Sequence, residues 1–287
     1  MVKAHIEKAK TNNTKEGSKN LNINIVDSPG EAEFSICIFN QLVYLAKSTD
    51  PFRPLARQID LLNKGKSFED NMIRYLQYVV KWNHFNTITN PGKNFEEMPI
   101  KVEIQPEGKG AWYDVTDREL TLTPMPERQG LSQSGPFIWL QVFKVKVSNI
   151  SSETLFVGVL QLDTAFGISS NEFDKQVIEL LPGEEKYFYE YNTENPKTSY
   201  ISLEPYQEVY NWKRETIRFQ FIINNFSNFT NELGDFIQLP LEKPITIDTK
   251  RGGGGSFKLF QKVVKKWTTL KTTLHLTNPT YNNISGE

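Results

Sequence analysis

Between Ser67 and Ile104 the hydrophobic period of this chain changes once and does not change back. Ser67 is placed to cap a helix, and Glu69 and Asp70 fall in its first turn, where the helix dipole favours acids. Phe68, Met72, Tyr75, Val79 and Trp82 then recur at spacings of four and three, with Ile73, Leu76 and Val80 widening the stripe. So broad an apolar face has to pack against a sheet or another helix. Asn90-Pro91-Gly92 stops the helix, and beyond Pro99 the pattern becomes Ile-Lys-Val-Glu-Ile. That strict alternation is the period of a half-buried strand.

From there to the end almost nothing recurs at helical spacing. Phe143, Val145 and Val147 share one face of a strand over Phe137–Val147, and Leu155–Leu162 is its return after a polar turn from Ser148 to Glu153. Leu181-Pro182-Gly183-Glu184 is another tight turn, leading into Lys186–Tyr189. Ile217, Phe219, Phe221 and Ile223 alternate, and Trp267–Leu276 alternates more loosely. Short, regularly punctuated strands predict a mainly β chain, an antiparallel β-sandwich over 100–280.

The front part reads differently. Residues 1–20 are a polar tail, and 21–99 form a small α+β subdomain around the long amphipathic helix. Its strands are Leu21–Ile25, Phe34–Ile38 and, across Asn40-Gln41, Leu42–Ala46, with Leu55–Leu62 expected as a short helix. Arg251 and Gly252–Ser256 make a flexible joint within the sandwich. Gly-Gly-Gly-Gly-Ser is also a standard engineered linker, and both origins stay open.

The 287 residues suffice for a core without disulfides or metals. Thirty-three basic residues face 34 acidic ones, so the clustered positive surface of a nucleic-acid binder is not expected. The single cysteine, Cys37, rules out an internal disulfide and favours a reducing, cytoplasmic setting. The opening residues carry no apolar core of a signal peptide, and no run approaches the roughly 18–20 apolar residues of a membrane span.

No catalytic constellation emerges. Cys37 lies in Ser-Ile-Cys-Ile on an apolar strand, where a buried thiol is a small hydrophobe. His5, His84 and His275 have no ligand spacing to each other or to Cys37, so neither a nucleophile–base pair nor a metal site is expected. Asp114 and Asp117, beside Trp112 and Tyr113, have the residue types of a glycosidase pair. They equally suit a strand running into an Asp turn, the reading preferred here. The Gly-rich segment lacks the Gly-Lys-Ser/Thr ending of a phosphate loop. No cofactor is called for.

Binding is the remaining chemistry. Trp212, in Tyr210-Asn211-Trp212-Lys213-Arg214, is the tryptophan expected at the surface, and an aromatic beside cations is typical of recognition hot spots. The candidate binding residues are therefore Trp112, Tyr113, Tyr210, Trp212, Lys213 and Arg214, against the simpler alternative that these aromatics pack the sandwich.

A set of short words, in order, resembles the non-catalytic C-terminal region of bacterial caspase-family proteins. They are Ile25-Val26-Asp27 with Ala32-Glu33-Phe34, Tyr75–Pro91 with its aromatics and Asn-Pro stop, and the hairpin Val145–Leu162. Leu181–Glu184, Arg214–Phe219 and Trp267–Leu270 complete the set, which spans Leu21 to Leu276. The family's His-Gly pair and Asp-x-Cys motif are not matched: the three histidines precede Ile, Phe and Leu, and Cys37 follows Ile36. The resemblance implies a non-enzymatic regulatory module that binds a caspase-like protease or its substrate protein, in cis or in trans, with strand edges as docking elements. The rival expectation is a sandwich binding a carbohydrate or another small ligand on a platform of Trp112, Tyr113 and Trp212.

Overall fold

The computed structural model describes residues 26, 28–60, 68–89, 95, 97–128, 137–170, 172, 173, 175–188, 198–225 and 267–281. The expected tail, the Leu21–Ile25 alternation, the Ser67 cap, the Pro91-Gly92 stop and the Gly-rich joint lie outside them. The chain is mainly β, as its period-two alternation requires. Its two large sheets pack face to face, and the long helix lies on the far side of one of them.

The outer sheet is built on β8 (Phe137–Asn149). One side of it pairs with β4 (Ile100–Pro106) and β7 (Met125–Arg128), the other with β12 (Glu185–Tyr187) and β13 (Ser199–Ser202). The two-residue β5 (Tyr113–Asp114) closes the β4 edge. The middle sheet is centred on β9 (Leu155–Leu162), β14 (Arg214–Asn224) and β15 (Trp267–Thr277), all antiparallel neighbours. β6 (Glu119–Leu122) runs parallel to β15, while β10 (Ile168–Ser169) and β11 (Val177–Leu180) line the free edge of β9.

Strand parity explains which faces meet. Val102, Ile104, Phe143, Val145 and Val147 of the outer sheet bury against Val157, Val159, Phe219, Phe221 and Ile223 of the middle one. Phe188, just past β12, meets Phe219 edge-on at 5.3 Å and Phe173 at 5.1 Å, so three rings from three segments clamp the two sheets. The polar turn after β8 is fixed by buried Asn149, whose amide donates to the carbonyls of Glu153 (2.8 Å) and Leu180 (2.9 Å). Gly183, at φ 77°, closes the next turn, where a side chain would be strained.

The middle sheet buries residues on both faces because it is covered on both. Its second face carries Leu160, Leu162 and Ile222, and α1 (Phe68–Thr87) lays Tyr75, Val79, Trp82 and Phe85 into the same core. Tyr75, Val79 and Trp82 are positions that the sequence stripe selects, with Met72 buried too, and Phe85 extends the stripe one turn further. Arg218 sits over the Trp82 ring at 5.2 Å, and the Ile88 carbonyl accepts from Gln220 Nε2 at 3.3 Å.

The small sheet of β1 (Phe34–Phe39), β2 (Leu42–Lys47) and β3 (Ile59–Asp60) contributes Leu45 to this second core. Its two-residue turn has positive φ at both Asn40 and Gln41. The sequence alternation over Leu42, Tyr44 and Ala46 is only partly the buried one: Ala46 is buried, but Leu42 is exposed and Tyr44 half-buried, while Val43 and Leu45 are buried between them. The expected helix at Leu55–Leu62 is also corrected, since the described part bends at Leu55 and Ala56 and then forms β3. Leu55 N–H donates to the Leu45 carbonyl at 2.9 Å, so the backbone bonds to a neighbouring strand rather than to itself.

Candidate functional site

Two inward rows of the middle sheet run out of apolar residues at the same end of the sandwich. In β9 the row Leu155, Val157, Val159 continues to Gln161, and in β14 the row Ile223, Phe221, Phe219, Ile217 continues to Glu215. The strands are adjacent, Phe219 lying opposite Gln161. Opposite them β13 supplies Ser199 and Ile201. Between these walls opens a cleft of 420 Å³, closed on one side by the Asp163–Ala165 turn and on another by α2 (Pro205–Val209).

Glu215 is 6% exposed and tied to two other elements. Thr164 Oγ1 donates to its Oε1 at 2.7 Å, and Gln207 Nε2 donates to its Oε2. Gln207, wholly buried in α2, also accepts from Glu204 N–H through its Oε1 at 2.7 Å, while its backbone carbonyl accepts from Trp212 N–H at 2.7 Å. Through its side-chain amide and its backbone carbonyl, Gln207 thus joins the start of α2, the carboxyl and the loop leading into β14. Asp163 is held by the Gly167 N–H, 2.7 Å from Oδ1. A Cβ on Gly167 would fall 2.4 Å from Asp163 Oδ2, so glycine lets the carboxylate lie against the backbone.

Burial pushes the Glu215 carboxyl up to about 8, with the negative charges of Asp163 and Glu204 adding to the effect and the Thr164 hydrogen bond opposing it. It therefore holds its proton at neutral pH. Burial, then the charges of Glu215 and Glu204, likewise push the Tyr206 phenol at the cleft wall upward. Among the described residues no three acidic, His or Cys groups converge as metal ligands.

The residues singled out from sequence fall in two separate places. Trp112 lies on the solvent side of the outer sheet, its ring under Lys146 Nζ at 5.1 Å and 6.0 Å from Tyr187. Lys146 also bridges Glu103 (3.0 Å) and Glu185 (3.3 Å). Tyr113 beside it is exposed.

Trp212 does not stand at the surface, and this corrects the expectation: it is 8% exposed in the second core, edge-on to Tyr206 at 6.0 Å. Lying on opposite sides of the sandwich, Trp112 and Trp212 form no common platform. Tyr210 is half-buried, its hydroxyl accepting from Gln58 and its carbonyl from Arg53 Nε at 3.0 Å, while Lys213 and Arg214 are exposed.

Asp114 Oδ1 accepts from Thr116 N–H at 3.0 Å in a turn, the preferred reading of that acid pair. Cys37 is half-buried on β1, and burial pushes its thiol up, away from the reactive thiolate. His275 instead bonds Thr216 Oγ1 at 2.9 Å and Glu119 at 3.2 Å, on the other side of the middle sheet from the sandwich core.

The cleft residues were missed by a search for aromatic hot spots, although Glu215 directly follows Arg214. The signal was parity: an acid in the inward register of an otherwise apolar strand.

No protein-family model matches the chain, and no curated protein matches it. Among solved structures, a FixG-related protein from Vibrio parahaemolyticus is similar at 14% identity and a TM-score of 0.23, covering 45% of this chain and 84% of that one. A hemolymph type prophenoloxidase (proPOb) from a crustacean is similar at 11% identity and a TM-score of 0.24, covering 74% of this chain and 38% of that one.

Proposed function

We propose that this chain is a non-enzymatic recognition module that seats a small polar ligand in the cleft at the end of its β-sandwich. The observation that carries the reading is the cleft itself: 420 Å³ of space walled by Glu215, Thr164 and Tyr206 at a point where two adjacent strands of the middle sheet have exhausted their apolar rows. That volume lies within the range of small-molecule sites, and convergent polar groups on an otherwise rigid frame are their usual lining. A single cysteine kept as a thiol suits the same module in a reducing cytosolic setting.

A ligand screen by thermal shift on the full chain and on Thr198→Trp tests this. Thr198 stands exposed in the cleft lining, so a tryptophan there fills the opening. Ligands that raise Tm only for the parent chain are expected. Ligands acting equally on both would move the site elsewhere.

A second reading has its own observation. The β1–β2 hairpin tip exposes Ile38 (69%), Phe39 (65%) and Leu42, apolar surface of the kind that protein partners cover. By its resemblance the partner would be a caspase-like protease or its substrate. Co-purification that is lost in Ile38→Lys/Phe39→Lys supports this docking; retention in the double variant rejects it.

A further inference from the structure

We infer that the second face of β14 binds a phosphate monoester, at the place where the second core ends in cations. This site is separate from the cleft, which opens on the other face of the same strand. On β14 the row of Ile222 continues through Gln220 and Arg218 to Thr216 and Arg214. The buried row of β2, Val43 and Leu45, ends likewise in Lys47. Two sheets thus bring three cations to one end of the core they share. Burial comes first in holding the Lys47 ammonium below its usual range. The charges of Arg218 and then Arg214 follow, ahead of the opposing Glu33 and Asp50.

The donors of these cations are unused. Arg218 is half-buried over the Trp82 ring at 5.2 Å, a cation on an aromatic face. Among the described residues no oxygen is bonded to its guanidinium, to that of Arg214 or to the Lys47 ammonium. The acids nearby are engaged elsewhere, Glu119 with His275 at 3.2 Å and Asp50 with Arg53. Beneath Arg218 the indole N–H of Trp82, a residue 6% exposed, is buried and has no acceptor. A buried donor without a partner calls for an explanation.

All four of these side chains donate and none accepts, so they fit a ligand that only accepts. A phosphate monoester carries a charge of about −1.5 to −2 and three acceptor oxygens, enough for several cations at once. The guanidinium fork matches that geometry, and a carboxylate offers only one charge and two oxygens. The phosphoryl group comes on a free small molecule or on a phosphorylated side chain.

Isothermal titration of the full chain with glycerol 3-phosphate tests the class, with glycerol and acetate as controls. Acetyl-Gly-phosphoserine-Gly-amide, beside its unphosphorylated form, separates the two sources. Binding of a phosphorylated probe is expected, at least about tenfold tighter than of acetate or the unphosphorylated compounds. Lys47→Gln and Arg214→Gln, both at exposed positions, should each weaken it by about tenfold while melting within a few degrees of the parent. Lys109→Gln removes the same charge from the turn after β4 on the outer sheet and should leave binding unchanged. Glycerol phosphate binding alone assigns a free ester, phosphopeptide binding alone a side chain, and equal binding the phosphoryl group on either carrier.

Equal weakening by Lys109→Gln would reduce the effect to net charge and overturn the site. Binding lost in Thr198→Trp but kept in Lys47→Gln and Arg214→Gln would overturn it by moving the phosphate to the cleft. Acetate binding as tightly, or no binding of either phosphorylated probe, would overturn it as well. Those last results leave the cleft to its own ligand screen.

Discussion

Gln207 and Glu215 share a buried hydrogen bond that joins a five-residue helix to the first turn of the central strand of the middle sheet. Every other polar atom of that amide and carboxyl is also engaged, Oε1 of Glu215 by Thr164 and Oε1 of Gln207 by the Glu204 N–H. A buried network that ties three segments together specifies geometry, and loss of one member leaves the rest buried without partners.

The pH dependence of stability follows from this placement. Glu215 is raised from 4.5 to about 8, and Glu172, 1% exposed, is raised to about 7, in both cases chiefly by burial. Above the ordinary carboxyl range the unfolded chain has released protons that the folded one keeps. Stability is therefore fully present below pH 4.5 for these groups and falls as pH rises towards 7 and 8, by up to about 1.4 kcal/mol per pH unit per group. Glu215→Gln should flatten part of the decline in denaturation midpoint between pH 5 and 8. An unchanged pH profile would show that Glu215 ionises normally in the fold.

Phe188→Ala should cost about 3–5 kcal/mol, because it empties the point where three rings join the two sheets. Phe188→Leu should cost clearly less. Urea unfolding would measure both, and a loss under 1 kcal/mol for alanine would mean that the sandwich closes without this clamp.

Asn149→Ala removes the amide that satisfies two carbonyls and the Oδ1 that accepts from Ser151 N–H at 2.9 Å. A loss of about 2–3 kcal/mol is expected from leaving buried backbone groups unpaired. Asn149→Asp keeps the acceptor and loses the two donors, so it should be nearly as damaging in the same urea titration.

Gly167→Ala places a methyl against the Asp163 carboxylate. The turn must shift, so a loss of about 1–3 kcal/mol is expected together with weaker ligand binding in the cleft. Amide chemical shifts should move most at Asp163, Thr164 and Glu215. A silent spectrum in that region would separate the turn from the cleft.

Period alone determined much of this molecule. Met72, Tyr75, Val79 and Trp82 named the buried face of α1, and Val102, Ile104, Phe143, Val145 and Val147 named the inward face of the outer sheet. These readings succeed because a helix or strand repeats its geometry, so burial on one face writes itself into sequence spacing. They fail where neighbours decide. Leu42 and Leu45 are the same residue type, and only the second core that β2 shares with α1 and the middle sheet chose Leu45.

Trp212 and Trp112 show the same division. Composition marked both as binding residues, and tertiary packing put one inside the second core and the other beneath Lys146 on the opposite side. The cleft belongs wholly to the third dimension. Asp163, Glu204 and Glu215 are ordinary acids in sequence, and only two strands ending in register beneath a short helix bring them around one space. What the sequence by itself determined was the layers, through periodic burial. Tertiary structure decided the site, since it depends on where unrelated segments end.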